Sequence, residues 1–158
     1  MCSTSPARRR LVSGALGIGL LAGMPAFAAK NKPRIEVWKS PSCGCCGDWI
    51  AHMRDAGFEV GIHDSGNNAA RARLGLPARY GSCHTATIDG YVIEGHVPAA
   101  DVARLLRERP KALGLAVPGM PIGSPGMDGP EYGGRKDPYD TLLVELGGRG
   151  HRVFAAHR

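Results

Sequence analysis

Arg34-Ile35-Glu36-Val37-Trp38-Lys39 alternates polar and apolar positions and is rich in β-formers, which predicts a strand. Ser40-Pro41-Ser42 supplies a turn and a helix-cap signal. From Cys45 a helical pattern runs through Ile50 and Met53 to Ala56, where Gly57 stops it. Phe58 to His63 predicts a second strand, and Asn67 to Leu74 a helix closed by Gly75-Leu76-Pro77. Thr85 to Ile88 and Tyr91 to Glu94 flank Asp89-Gly90, a two-residue turn signal that predicts a hairpin. Pro98 is expected at the first position of a last helix, with Val102, Leu105 and Leu106 on one face and an end near Pro110.

The order β-α-β-α-β-β-α is that of an α/β domain of the thioredoxin-like kind. It is expected to span residues 29–113. From Gly114 to Pro138 the composition turns to glycine and proline, too loose for a core element and long for an idle loop, so this stretch is expected to wrap over the cysteine cluster and limit access of solvent or oxygen. Thr141 to Leu146 and His151 to Ala155 flank Gly147-Gly148-Arg149-Gly150 as a further hairpin, either extending the sheet edge or lying peripheral. Residues 114–158 are expected to pack on the same domain. The chain carries no phosphate-binding loop, no serine-histidine-acid arrangement and no internal repeat.

The N-terminus follows a different pattern. Arg8, Arg9 and Arg10 precede a glycine-rich apolar run from Leu11 to Met24, and Ala26-Phe27-Ala28 has the small-x-small form of a signal-peptidase site. Residues 1–28 are therefore expected to be a leader cleaved after Ala28, because the run is shorter than the roughly twenty apolar residues of a spanning helix. Met24 stands where a lipid-bearing cysteine would follow Leu21-Ala22-Gly23, and Cys2 lies upstream of the apolar run, which argues against a lipoprotein. Arg8-Arg9-Arg10-Leu11-Val12 resembles a relaxed twin-arginine signal, and the same arginines also serve the ordinary secretion route.

Export changes what the charge means. Of the 20 basic residues in the 158-residue chain, three lie in the leader with none of the 14 acids, so the remainder carries about +3 rather than +6. The basic isoelectric point near 9.3 thus gives no argument for a nucleic-acid partner. Cleavage also removes Cys2 and leaves four of the five cysteines.

Those four carry the chemistry. Cys43, Cys45 and Cys46 put three thiols within four residues, and Cys83 with His84 adds two more soft donors about forty residues later. An even cysteine count in an exported protein normally signals structural disulfides, but the crowded trio suits them poorly: a structural pairing is expected to join Cys83 to one of the three. Metal binding and thiol-disulfide exchange remain the two chemical readings.

Thr85 to His96, reading TATIDGYVIEGH ahead of an amphipathic helix, resembles the second half of a glutaredoxin, and the strand, turn and cysteine-led helix at Cys43 resemble its first half. With CGCC after the first strand, SCHT before the hairpin, then EGHVPAADV and GLAVPGMP, the chain from Arg34 to Met127 resembles the periplasmic copper-resistance family called CopG, which is distinct from the DNA-binding regulators of that name. The resemblance implies a thioredoxin-like domain, a periplasmic location and copper as the metal. Thioredoxin-like proteins carry a cis-proline just before the third strand; here that place holds Cys83-His84-Thr85. The resemblance further implies that Cys83 approaches Cys43, Cys45 and Cys46.

Cu(I) is soft, takes two or three sulfur ligands and lets one thiolate bridge two ions, so this set suits a small cluster of more than one Cu(I). Three thiols at a helix N-terminus should also be favoured as thiolates by the helix dipole. The alternative cofactor is a single zinc on Cys43, Cys46, Cys83 and His84, which leaves Cys45 unused. The alternative function is a periplasmic thiol-disulfide oxidoreductase built on the Cys43/Cys46 C-x-x-C pair, and a copper oxidoreductase would combine both chemistries. Expected partners are copper ions and periplasmic copper efflux or copper-carrier proteins.

Met120, Met127 and His96 are further candidate metal contacts, His96 also as a cap or support for a ligand. Met53 is expected in the core. His52, His63, His151 and His157 are expected to be solvated, and Trp38 and Trp49 to bury strand against helix.

Overall fold

The computed structural model describes Met1 and residues 32–158, so the expected leader and its cleavage point lie outside the described residues. Asn31–Arg158 is one compact unit. Among the described residues, no helix is long and apolar enough to cross a membrane.

The first seven elements come in the expected order: β1 (Arg34–Lys39), α1 (Gly44–Asp55), β2 (Glu59–His63), α2 (Asn68–Arg73), β3 (His84–Ile88), β4 (Tyr91–Glu94) and α3 (Ala99–Glu108). Asp89 and Gly90 both take positive φ, at 48° and 84°, as a tight hairpin turn of the primed type requires. Pro98 stands one place earlier than expected, in the cap position before Ala99.

β5 (Gly114–Ala116), β6 (Tyr139–Val144) and β7 (His151–His157) complete a seven-stranded sheet of order β2-β1-β3-β4-β5-β6-β7. β1 pairs parallel to β2 and β4 parallel to β5, and the other neighbours are antiparallel. The fold is therefore mixed α/β.

The glycine-rich stretch is corrected at its start. Gly114, Leu115 and Ala116 are an interior strand, buried throughout. The strand is only three residues long, and a Cβ at Gly114 would overlap the Val92 carbonyl, so the composition that looked too loose for an element is what lets β5 lie against β4. Through β5 the C-terminal hairpin joins the sheet rather than lying peripheral.

Period-two alternation divides the core into two layers. Ile35, Val37, Ile93, Leu115 and Leu143 point to one face, where Trp49, Ile50 and Met53 of α1 and Val102 and Leu105 of α3 cover them. Val92, Ala116 and Val144 point to the other, packed with Leu76 and Tyr80 from the segment after α2. Fully burying a Leu or Ile side chain contributes roughly 1.5–3 kcal/mol, so these layers hold the sheet rigidly under the cysteine-bearing ends.

Candidate metal centre

The register of β1 against β3 assembles the site. Lys39 at the end of β1 lies opposite His84 at the start of β3, so the turn leading into α1 and the residue before β3 emerge at one end of the sheet. Cys43 occupies the cap position of α1 in an extended conformation without a side-chain cap, and Cys45 and Cys46 follow in the first turn. The unpaired amides of that turn face the same end.

All four sulfurs, of Cys43, Cys45, Cys46 and Cys83, lie within 4.8 Å of one another. Cys43 and Cys46 are joined as a disulfide with their Cα atoms 5.4 Å apart. This corrects the expectation that a pairing would have to involve Cys83: one helical turn brings positions i and i+3 together, and the crowding falls on Cys45 instead. Cys45 Sγ stands 3.6 Å from Cys43 Sγ and 3.9 Å from Cys83 Sγ. Cys45 and Cys83 are the free thiols among the described residues.

Cys83 also faces two imidazoles, His84 Nδ1 at 3.3 Å and His96 Nε2 at 3.0 Å. His96 Nδ1 lies 2.8 Å from the Pro125 carbonyl. A carbonyl only accepts, so Nδ1 carries the proton and Nε2 presents a lone pair toward the sulfur. His84 is fully buried, its ring 4.3 Å from that of Trp49, and its Nε2 has no hydrogen-bond partner. Burial, with His96 second, pulls the His84 pKa down to about 3, and burial likewise lowers that of His96, so both rings are neutral.

Burial first, then the neighbouring Cys45, pushes the Cys83 pKa up to about 12, so without a cation this sulfur is a thiol. The donor set nevertheless fits a thiophilic metal: crowded sulfurs and neutral imidazoles would be satisfied together by a cation that displaced the Cys83 proton.

The segment after β5 packs over this centre. A Cβ at Gly126 would meet Cys45 O at 2.6 Å and Trp49 N at 2.8 Å, so the chain touches the backbone of α1 there. Met127 is buried and its sulfur accepts a hydrogen bond from the Tyr132 hydroxyl at 3.4 Å, whereas Met120 is 51% exposed. Met53 lies in the core as expected.

Of the histidines expected in solvent, His63 and His151 are exposed as expected and His52 and His157 are half-buried, and all four contact a group distant in sequence. His52 Nε2 accepts the Ala99 amide at 3.0 Å and so caps α3, and His63 contacts Glu36 and stacks on Trp38. His151 pairs with the Tyr80 hydroxyl and His157 with Asp101. Trp49 buries α1 as expected and donates to the Val97 carbonyl at 2.9 Å. Trp38 is only half-buried, with Arg73 over its ring.

His96, a candidate contact from the sequence, faces Cys83, whereas Glu94, Arg71 and Ser82, which hold the Cys83 segment, are not marked by the sequence as site residues. Ser82 N donates to Glu94 at 2.7 Å, and its carbonyl accepts from Arg71. An acid at the end of an apolar strand and an arginine in a short helix gave the only signal, and neither names its partner.

Fold and site together define an α/β protein with a sulfur-rich candidate metal centre between a helix N-terminus and the start of a strand. Residues 80–127 match the family described as "Protein of unknown function, DUF411". No curated protein matches the chain. A solved structure named "Copper resistance protein copG- Form 2" is 45% identical, with a TM-score of 0.74, over 80% of this chain and 99% of that one. A second, "Copper resistance protein copG- Form 1", is 46% identical, with a TM-score of 0.72, over 80% and 98%. The chain belongs to the copper resistance protein CopG family.

Proposed function

We propose that this protein is an exported, periplasmic copper-binding protein of copper resistance and homeostasis, which takes Cu(I) as its cargo in a small thiolate cluster. The observation that carries the reading is the convergence of four cysteine sulfurs within 4.8 Å. The name of the relatives supports copper as the metal. Cys43, Cys45, Cys46 and Cys83 are the sulfur donors, with His84 and His96 as imidazole donors and Met120 and Met127 as outer contacts. Processing after Ala28 releases the chain, and copper efflux or carrier proteins exchange metal with it.

The Cys43–Cys46 pair adds redox capacity. In the dithiol form it gives up two electrons and two protons as the disulfide closes, and two Cu(II) become two Cu(I). The reverse direction takes two electrons from two Cu(I) and two protons from solvent, reopening the disulfide.

Anaerobic titration of the fully reduced protein tests the reading. The expected result is uptake of more than one Cu(I) with a thiolate-to-copper absorption band. One tightly held zinc on Cys43, Cys46, Cys83 and His84 that copper does not displace would sink it.

The disulfide at the start of α1 also favours a second reading, a thiol-disulfide oxidoreductase. Vigorous insulin reduction by the metal-free protein, with copper-insensitive growth of a deletion strain, is the outcome that would put it first.

A further inference from the structure

Cys83 lies in a turn whose backbone is held by side chains from elsewhere in the fold. Every polar group of Ser82, just before it, is taken. Its amide donates to Glu94 Oε1 at 2.7 Å, and its carbonyl accepts from Arg71 at 2.7 Å and from Asn67 at 3.0 Å. Its hydroxyl donates to the Gly119 carbonyl. Beyond the Cys83-His84 dipeptide, Thr85 Oγ1 donates to Glu94 Oε2 at 2.6 Å. The two oxygens of one carboxylate thus grip the chain on both sides of Cys83.

That carboxylate is fully buried, and Arg71 is its counter-ion: Nε donates at 2.9 Å and a terminal nitrogen lies at 2.8 Å from the same oxygen. A buried ion pair is weak evidence for stability, but a carboxylate that accepts from Ser82, Thr85 and Arg71 at once imposes one geometry. Gly95 leaves the room: at φ 69° it has no Cβ, and one placed there would sit 2.5 Å from the Ser82 side chain.

We propose that Glu94, clamped by Arg71, is the positioning residue that sets where Cys83 presents its sulfur to Cys45 and to bound metal. Glu94 touches no cargo and acts through Ser82 and Thr85. The inference rests on the copper-binding reading for its consequence, but not for its geometry.

The test has an arm without copper. In the metal-free, disulfide-containing protein Cys45 and Cys83 are the free cysteines among the described residues, and iodoacetamide labelling compares them residue by residue. Glu94→Gln leaves Arg71 without its counter-charge and weakens the grip on Ser82, so Cys83 should label roughly tenfold faster relative to Cys45. Arg71→Lys, which keeps the charge and loses the fork, should move the ratio the same way and carries the test if Glu94→Gln does not fold. An unchanged ratio in a folded variant overturns the proposal, as does an equal rise at both cysteines, the mark of general loosening.

In the copper arm, chelator competition should show Glu94→Gln weakening Cu(I) binding by roughly tenfold in the parent chain and not further in a Cys83→Ser background. A loss that persists without Cys83 overturns the proposal. If the parent chain takes up no Cu(I), the copper reading falls, and the labelling ratio alone judges Glu94.

Discussion

Cys45 Sγ stands 3.9 Å from Cys83 Sγ, although 38 residues separate them, and 3.6 Å from Cys43 Sγ on its other side. It is the sulfur between the other two. A single tetrahedral ion on Cys43, Cys46, Cys83 and His84 does not need Cys45, whereas a cluster needs it as a bridge. Cys45→Ser should therefore lower the number of Cu(I) ions bound by the reduced protein. Anaerobic Cu(I) titration with copper analysis checks this, and an unchanged stoichiometry would favour the mononuclear centre.

Stability should fall on mild acidification, in part through His52. Its Nε2 must be unprotonated to accept the Ala99 amide at 3.0 Å. Burial lowers its pKa below the ordinary 6.5, against the opposing pull of Asp128 and Asp55. A base with a depressed folded pKa is protonated more readily when unfolded, so its contribution is complete above about 6.5 and is lost as pH falls toward the folded value. Buried His84 and His96 act in the same direction. Urea midpoints of metal-free His52→Gln should therefore fall less than those of the parent between about pH 7.5 and pH 5.5. Parallel pH profiles would remove His52 from the account.

Structure that is decided locally is legible in the sequence. β1 runs over Arg34–Lys39 as its alternation predicts, and the Asp89-Gly90 turn is written in the two residues that adopt positive φ. β5 was missed because three residues carry no periodicity and its glycine looks like loop until Val92 is beside it. The four cysteines were legible as a group from residue type and spacing. The C-x-x-C spacing marks Cys43 and Cys46 as a redox pair, but not that they rather than Cys83 close the disulfide, which depends on where the first turn of α1 begins. His52, His157, Glu94 and Arg71 stayed hidden for one reason: each partner lies on another element, and nothing in a polar residue's own neighbourhood says which element will pack against it.

Gly114→Ala tests whether β5 is truly an interior strand. An added methyl would overlap the Val92 carbonyl, which is backbone in the pairing of β4 with β5 and cannot rotate away. Overpacking of this kind costs roughly 1–3 kcal/mol, and urea unfolding should show a loss in that range. A variant as stable as the parent would mean that β4 and β5 do not lie this close.

Gly126→Ala addresses the segment over the metal centre. Gly126 has φ 85°, and its absent side chain lets the chain approach Cys45 O and Trp49 N so closely that a methyl would stand 2.6 and 2.8 Å from them. Both neighbours are backbone of α1 and have little freedom to retreat. The segment must lift, and lifting draws the Pro125 carbonyl from His96 Nδ1, the contact that keeps Nε2 unprotonated and aimed at Cys83. The variant should still fold, because the two core layers do not depend on this contact. It should release Cu(I) to a competing chelator faster than the parent, by roughly tenfold if one charge-free hydrogen bond and the cover over the cluster are lost together. Stopped-flow transfer to a chromophoric Cu(I) chelator measures the rate. Equal rates in parent and variant would show that the segment is no barrier and that metal leaves by another side.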